Sequence, residues 1–263
     1  MDHSGEEAIS DETRHRLAKR LARYVNIHGH PWFYRMKAVN RDSGLTGYYT
    51  DETLKSGLVV ACDVKGDHGI YKRFAYFSSW KEFLDHQAKY PLDERHFYEV
   101  IGATTKQQRP YFDIDIPGEN FIGDELECII QHIVDAFKDN DPKNDQPIDY
   151  VVYETKYPID PQTEIPKKYS YHVVINGLYF ESDVMMRNFG QLLKQKIADK
   201  PAISMIAEYI DDIWHSTRQF RLAGSSKIGS NCQKLFHSSS DGTHPTAAQG
   251  FVTNIAGCKS IPF

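Results

Sequence analysis

The stretch Arg109-Pro110-Tyr111-Phe112-Asp113-Ile114-Asp115-Ile116-Pro117-Gly118 decides how the chain is read. Aromatic and β-branched residues alternate with two carboxylates and stop at Pro-Gly, the pattern of a strand that ends in a turn. Side chains two apart in a strand share a face. Asp113 and Asp115 therefore project together, roughly 7 Å apart along the backbone, with Tyr111 on their side. Phe112, Ile114 and Ile116 line the other side. Two like charges held together resist ionisation unless a cation lies between them. Hard carboxylate oxygens suit Mg²⁺ or Mn²⁺. Taken alone, the pair fits a divalent-metal platform and equally a strand edge bearing two solvated Asp residues.

The chain around this stretch has room for one large domain or two small ones in its 263 residues. With 40% hydrophobic and 25% charged residues it reads as globular, and 16 Tyr and 14 Phe can fill a substantial core. A net charge of −5 argues against a general nucleic-acid coat, although a local basic groove is compatible with it. Cys62, Cys128, Cys232 and Cys258 are scattered without a CxxC pair, so a reducing compartment is expected and no disulfide framework. There is no signal peptide and no apolar run of membrane-spanning length.

Upstream of the Asp pair, residues 1–10 are polar and predict disorder. Ser10 or Asp11 caps a predicted basic helix over about 11–25. Short strands are expected at Pro31 to Tyr34, Gly57 to Ala61, Ile70 to Phe77 and His96 to Ile101, with a helix capped by Ser79 between the last two. Downstream, Leu126, Ile129, Ile130, Ile133, Val134 and Phe137 recur at helical spacing and predict a helix from Gly123 to about Asn140. Strands follow at Ile148 to Tyr153 and Tyr169 to Phe180, the latter with a turn at Asn176-Gly177. Ser182 then caps a helix to about Ala198. Strand–helix–strand–strand–helix is the order of an α+β module with a helix-backed, mainly antiparallel sheet. The end at Ile261-Pro262-Phe263 has no closing element, which reads as a domain cut from a longer protein.

Three pieces ask for one explanation: Asp113-x-Asp115; Lys168, Ser170 and His172 on one strand face; and Ile210-Asp211 followed by Arg218, Arg221 and Lys227. Carboxylates attract divalent cations, while Lys, Arg, Ser and His offer donors to phosphate oxygens. Together they are the parts of metal-assisted phosphoryl or nucleotidyl transfer.

In this order the pieces resemble the three motifs of the archaeo-eukaryotic primase superfamily, in its branch of primase–polymerases and replicative primases of large DNA viruses. The resemblance extends before the first motif, through Arg73, Ser79-Trp80-Lys81-Glu82-Phe83 and Phe97-Tyr98-Glu99-Val100-Ile101. After the third it takes in Arg218-Gln219-Phe220-Arg221-Leu222 and Ser225-Ser226-Lys227-Ile228-Gly229. It covers about residues 70–230. It implies a two-lobed catalytic core, with an N-terminal α/β lobe at 11–105 and an RRM-like catalytic lobe at 106–263. It implies a template-directed nucleotidyl transferase with two Mg²⁺ or Mn²⁺ ions held by Asp113, Asp115 and Asp211. Lys168, Ser170 and His172, with Arg73, Arg218, Arg221 and Lys227, would bind the nucleotide's phosphates, and Tyr98 would lie near its sugar. Implied partners are a single-stranded DNA template, nucleoside triphosphates and a primer, with a helicase region in the same polypeptide and no membrane. The implied setting is intracellular, in the nucleus or at a cytoplasmic viral replication site.

Two departures stand out. Many relatives carry Glu where this chain has Asp115, which keeps the charge at shorter reach. The interval from Asp211 to Arg218 is one residue shorter than in those relatives, so Asp212 stays in view as the third ligand beside the preferred Asp211. Two other readings also remain. The Asp pair followed by Glu154-Thr155-Lys156 fits a metal-dependent D…ExK nuclease, and a catalytically silent single-strand-binding module needs none of this chemistry. Cys232, His237, His244 and Cys258 match no zinc-site spacing, so no zinc is expected.

Overall fold

The computed structural model describes residues 24–36, 44–102, 107–141, 146–214, 217–230 and 232–261. The segment expected to be disordered, 1–10, and nearly all of the basic helix expected over 11–25 lie outside these residues. The last two positions of that expected helix, Tyr24 and Val25, open a strand.

In chain order the first half holds β1 (Tyr24–Ile27), β2 (His30–Phe33), α1 (Leu45–Tyr48), α2 (Asp51–Lys55), β3 (Leu58–Gly66), β4 (Gly69–Phe77), α3 (Trp80–Gln87) and β5 (Phe97–Ile101). The second half holds β6 (Tyr111–Pro117), α4 (Glu125–Asn140), β7 (Tyr150–Thr155), β8 (Lys168–Ile175), β9 (Leu178–Tyr179), α5 (Asp183–Ala198), β10 (Arg218–Arg221), β11 (Lys234–Ser239) and β12 (Lys259–Ser260). A six-stranded sheet runs β1-β2-β4-β3-β5-β10 and a four-stranded sheet runs β11-β7-β8-β6. Both are antiparallel throughout, so the fold is α+β with mainly antiparallel sheets and a few helices.

The six-stranded sheet is covered on both faces, which is why β3 begins as the unbroken apolar run Leu58-Val59-Val60-Ala61-Cys62. Leu58, Val60 and Cys62 pack with Phe83 of α3, and Val59 and Ala61 pack with Leu45 and Leu54 of α1 and α2. The hairpin to β4 closes in register from Leu58↔Phe77 to Gly66↔Gly69. Ser79 caps α3 as expected, accepting from Glu82 N at 3.2 Å. β10 and Leu222, though far along the chain, complete this sheet and its core through pairing with β5.

The four-stranded sheet buries one face against α4 and α5. Phe112, Ile114 and Ile116 of β6 are fully buried there with Leu126, Ile129 and Ile133 of α4 and Met186, Phe189 and Leu193 of α5. Truncating a ring such as Phe112 to Ala in a core of this kind costs about 3–5 kcal/mol. The Ser182 hydroxyl caps α5, accepting from Met185 N at 3.3 Å. Gly190 lets Trp214 lie against α5, since a Cβ there would meet its ring at 2.4 Å. Trp214 in turn donates to Tyr111 O at 2.9 Å, tying the segment after Asp211 to β6. At the far end of β6 a Cβ on Gly118 would stand 1.8 Å from Pro166 O, and Gly118 N donates to Lys167 O at 3.0 Å. The Pro-Gly break thus clamps β6 to the approach of β8.

A buried histidine gives the first core a pH dependence. Trp32 Nε1 donates to His86 Nε2 at 3.3 Å, so that nitrogen carries no proton. Burial, then the neighbouring His30, pushes His86 down to about 4. Its neutral state stabilises the fold fully above pH 6.5, and this is lost as pH falls toward 4, because only the unfolded chain gains the proton. We expect the thermal midpoint to drop across this window, and His86→Gln, which keeps an acceptor for Trp32, to flatten that slope in melts between pH 7 and 4.5. An unaltered slope would exclude His86 as the source.

Candidate functional site

β6 and β8 pair with Asp113 opposite His172, Asp115 opposite Ser170 and Pro117 opposite Lys168. Residues directly opposite in an antiparallel pair share a face. The face turned away from the helices therefore carries two carboxylates, a lysine, a hydroxyl and an imidazole. Asp211 joins them through a bridge between Ile114 and Ile210, with Asp211 N donating to Asp113 O at 2.9 Å. β10 approaches from the other sheet and brings Arg218, Phe220 and Arg221.

These groups enclose a cavity of about 280 Å³. Asp113, Asp115, Asp211, Lys168, Ser170, His172, Arg218, Arg221, Lys227 and Tyr98 all line it. Arg73 does not. It sits on β4 opposite Cys62, donates to Tyr71 OH at 3.0 Å, and lines a neighbouring cavity of about 220 Å³ that reaches Ile228. Asp212 is turned outward, paired with Lys194 at 3.1 Å, while Asp211 is on the cavity wall. Tyr98 gives its hydroxyl to Asp63 at 2.7 Å and lies under the Lys72 ammonium, so its ring is held from behind.

The register also separates Glu154 from the Asp pair. Glu154 stands opposite Tyr171, one residue out of phase with Ser170 and His172, and so on the other face of the sheet. There it pairs with Lys156 at 3.0 Å and His237 at 3.3 Å. The D…ExK arrangement is not assembled in this fold.

Electrostatics explains how the acidic and basic groups coexist. Burial pushes the Asp113 carboxyl above the usual carboxylate range, and Asp115 and Asp211 add to this, while Lys234 and Lys168 oppose it. Asp211 is also raised, by burial and then by Asp115. Lys168 forms an ion pair with Asp115 Oδ2. Burial pulls the Lys168 ammonium down, but Asp115 outweighs it and the net shift is upward. His172 is stacked on Phe220 with ring centroids 3.9 Å apart, and burial, then the charges of Lys234 and Arg221, holds it well below its ordinary value. Its contact with Asp113 at 3.5 Å is therefore that of a neutral imidazole, not an ion pair.

Whether a divalent cation fits can be judged from the donors. Asp113 Oδ1 and Asp115 Oδ1 are buried without a hydrogen-bond partner. Buried carboxylate oxygens without a partner are costly unless a cation meets them. Asp211 adds a third hard donor on the same wall. Among the described residues no three His, Cys, Asp or Glu side chains stand close enough together to hold a metal ion, so the fit rests on the chemistry of the donors and on the two unpartnered oxygens.

Tyr157 lines the wall without any motif signal in the sequence, while Gln219 and Phe220, inside the stretch after the third motif, add to the wall and supply the stacking surface for His172. Lys234 of β11 is fully buried beneath the same face and donates to Ser170. Nothing around Gln233-Lys234-Leu235-Phe236 alternates in a way that marks Lys234 as inward.

No protein-family model matches the chain. Over 201 residues, 72% of the chain, it is 25% identical to the "Putative helicase/primase complex protein" of a Kenyan pig isolate of African swine fever virus. Over 211 residues, again 72% of the chain, it is 24% identical to the protein of the same description from the Vero-adapted Badajoz strain. The chain spans 18% and 19% of the length of these two proteins. The likeness is a distant one to a viral primase-related family.

A cation held by Asp113 competes with protons for it. We expect Mn²⁺ at about a hundredfold over its Kd to raise the melting temperature by about 5 °C at pH 7.5. The shift should shrink toward pH 5, where the raised carboxyl keeps its proton, and vanish in Asp113→Asn. An equal shift in Asp113→Asn would place the cation elsewhere.

Proposed function

We propose that this chain carries the catalytic centre of a template-directed primase–polymerase, joining nucleotides to a 3′-hydroxyl. The observation that carries this reading is the β6–β8 register, which sets Asp113 and Asp115 directly against His172 and Ser170 in one cavity. The distant viral relatives, described as belonging to a helicase/primase complex, support it. Their description also supports a helicase as a partner, in the same polypeptide or beside it, and an intracellular replication site.

Asp113, Asp115 and Asp211 would hold divalent cations, Mg²⁺ or Mn²⁺, which when bound lower the pKa of an attacking hydroxyl and neutralise a leaving pyrophosphate. The remaining residues act on the nucleotide. The Ser170 hydroxyl offers one donor to phosphate oxygens, while the single N–H of neutral His172 is held by the Arg221 backbone carbonyl and the ring shapes the wall against Phe220. Lys168, Lys227, Arg218 and Arg221 supply positive charge around the triphosphate, the arginines with planar forks suited to phosphate. The 3′-oxygen bonds to the α-phosphorus, the bond to pyrophosphate breaks, and the hydroxyl proton leaves to solvent. His172 needs no role as a general base.

Labelled nucleotides, single-stranded template and Mn²⁺ or Mg²⁺, with and without primer, test this reading. We expect nucleotide addition, reduced by about 10²–10³-fold in Asp113→Ala or Asp115→Ala with the fold retained. His172→Ala should raise the nucleotide KM about tenfold. Template cleavage in the absence of nucleotides would favour a nuclease, and template binding without nucleotide binding a silent module.

A further inference from the structure

We propose that Lys234 is a positioning residue of this site: its buried ammonium orients the Ser170 hydroxyl, and its backbone anchors the loop that carries Lys227. The inference rests on the nucleotidyl-transfer reading and extends it to a residue outside the three motifs.

One row across the sheet carries the argument. Asp115 stands opposite Ser170, Ser170 opposite Thr155, and Thr155 opposite Lys234, so all four share the cavity face. Lys234 is fully buried and its side chain passes Thr155 to reach β8. Its Nζ donates to Ser170 O at 3.2 Å and to Ser170 Oγ at 3.3 Å. An accepted bond at Oγ leaves the hydroxyl's own proton free to point into the cavity. The backbone of the same residue holds the loop. Lys234 N donates to Ser225 O at 2.9 Å, and Gly224 N donates to Lys234 O at 2.7 Å. Two residues beyond Ser225, Lys227 returns to the cavity wall. Lys234 thus joins two parts of the phosphate cradle that are more than fifty residues apart in sequence.

A packing role alone does not account for a lysine here. Its two hydrogen bonds both go to Ser170, and among the described residues it forms no ion pair. A buried ammonium without a carboxylate in contact costs several kcal/mol, and a well-packed apolar side chain of similar length would serve the core at least as well. Burial draws this ammonium down to about 7, with Asp113 the largest opposing influence, and the side chain is kept where it reaches both oxygens of Ser170. Lys234 stands on this face but is fully buried and is not among the residues that touch the cavity, so it acts through Ser170 and not on the nucleotide.

The test is a double-mutant cycle on the full chain, with affinity for a fluorescent, non-hydrolysable deoxynucleoside triphosphate measured in Mn²⁺, alongside KM and kcat for primer extension. We expect Lys234→Met to weaken nucleotide binding and raise KM about tenfold while kcat changes far less, with a melting temperature equal to or above wild type. Lys234→Gln, which also removes the charge, should show the same loss and covers the case in which the methionine variant does not fold. In a Ser170→Ala background neither substitution should reduce affinity further. Unchanged affinity, or losses that add to those of Ser170→Ala, would overturn the role of Lys234 alone. If the wild-type protein binds no nucleotide, the parent reading fails and this inference falls with it.

Discussion

A slip of one residue between β6 and β8 would turn Ser170 and His172 to the far side of the sheet from Asp113 and Asp115. Nearly every feature of the cavity depends on that register being held. It is held from both ends and from behind. The helix-facing residues Phe112, Ile114 and Ile116 cannot exchange places with the aspartates without burying charge in the core. Gly118 lies so close to Pro166 that no other residue fits without moving the strand. Trp214 donates to Tyr111 O, and Asp211 N to Asp113 O, so the segment bearing the third carboxylate is placed by the backbone of the strand it serves.

The second constraint is charge balance in a partly buried site. Asp113, Asp115 and Asp211 face Lys168, Arg221 and Lys227 in one cavity, and burial disfavours the ionised forms of Asp113, Asp211, Lys168 and His172, with Asp115 more than offsetting it at Lys168. The division of labour is spatial. Acidic groups lie along β6 and the residue after Ile210, basic groups come from β8, β10 and the loop above, and neutral His172 separates them against Phe220. Such an arrangement costs stability, which under the proposed reading a metal-bound triphosphate would offset. Among the described residues, Lys168 is the one ammonium that forms an ion pair with the Asp pair.

Much of the local structure was legible in the chain. Alternation around Asp113-Ile114-Asp115 marked β6, helical spacing from Leu126 to Phe137 marked α4, and Ser79 and Ser182 announced two helices by their capping. These signals are local, and local propensity and core packing agree at each. Other features were not legible because no local signal carries them. The motif after Asp211 turned out to be a strand of the first sheet, since β10 pairs with β5 across more than a hundred residues. Arg73 grouped with the phosphate binders on paper yet lines a different cavity, because strand phase and not sequence proximity sets which way it points. Glu154 fitted a nuclease pattern until the pairing with Tyr171 put it on the opposite face.

Sequence alone determined the chemical inventory and the faces of individual strands: the carboxylate pair at i and i+2, the Lys168-x-Ser170-x-His172 face, and an apolar residue before Asp211. Those follow from the two-residue period of an extended chain, which needs no knowledge of neighbours. Tertiary structure decided which faces meet. It set the β6–β8 register, chose Asp211 over Asp212 for the cavity wall, and brought Lys234 beneath Ser170. Strand pairing and bridging are long-range contacts whose partners compete on packing across the whole core. The side of a sheet that a charge occupies is therefore fixed by what the opposite side must bury.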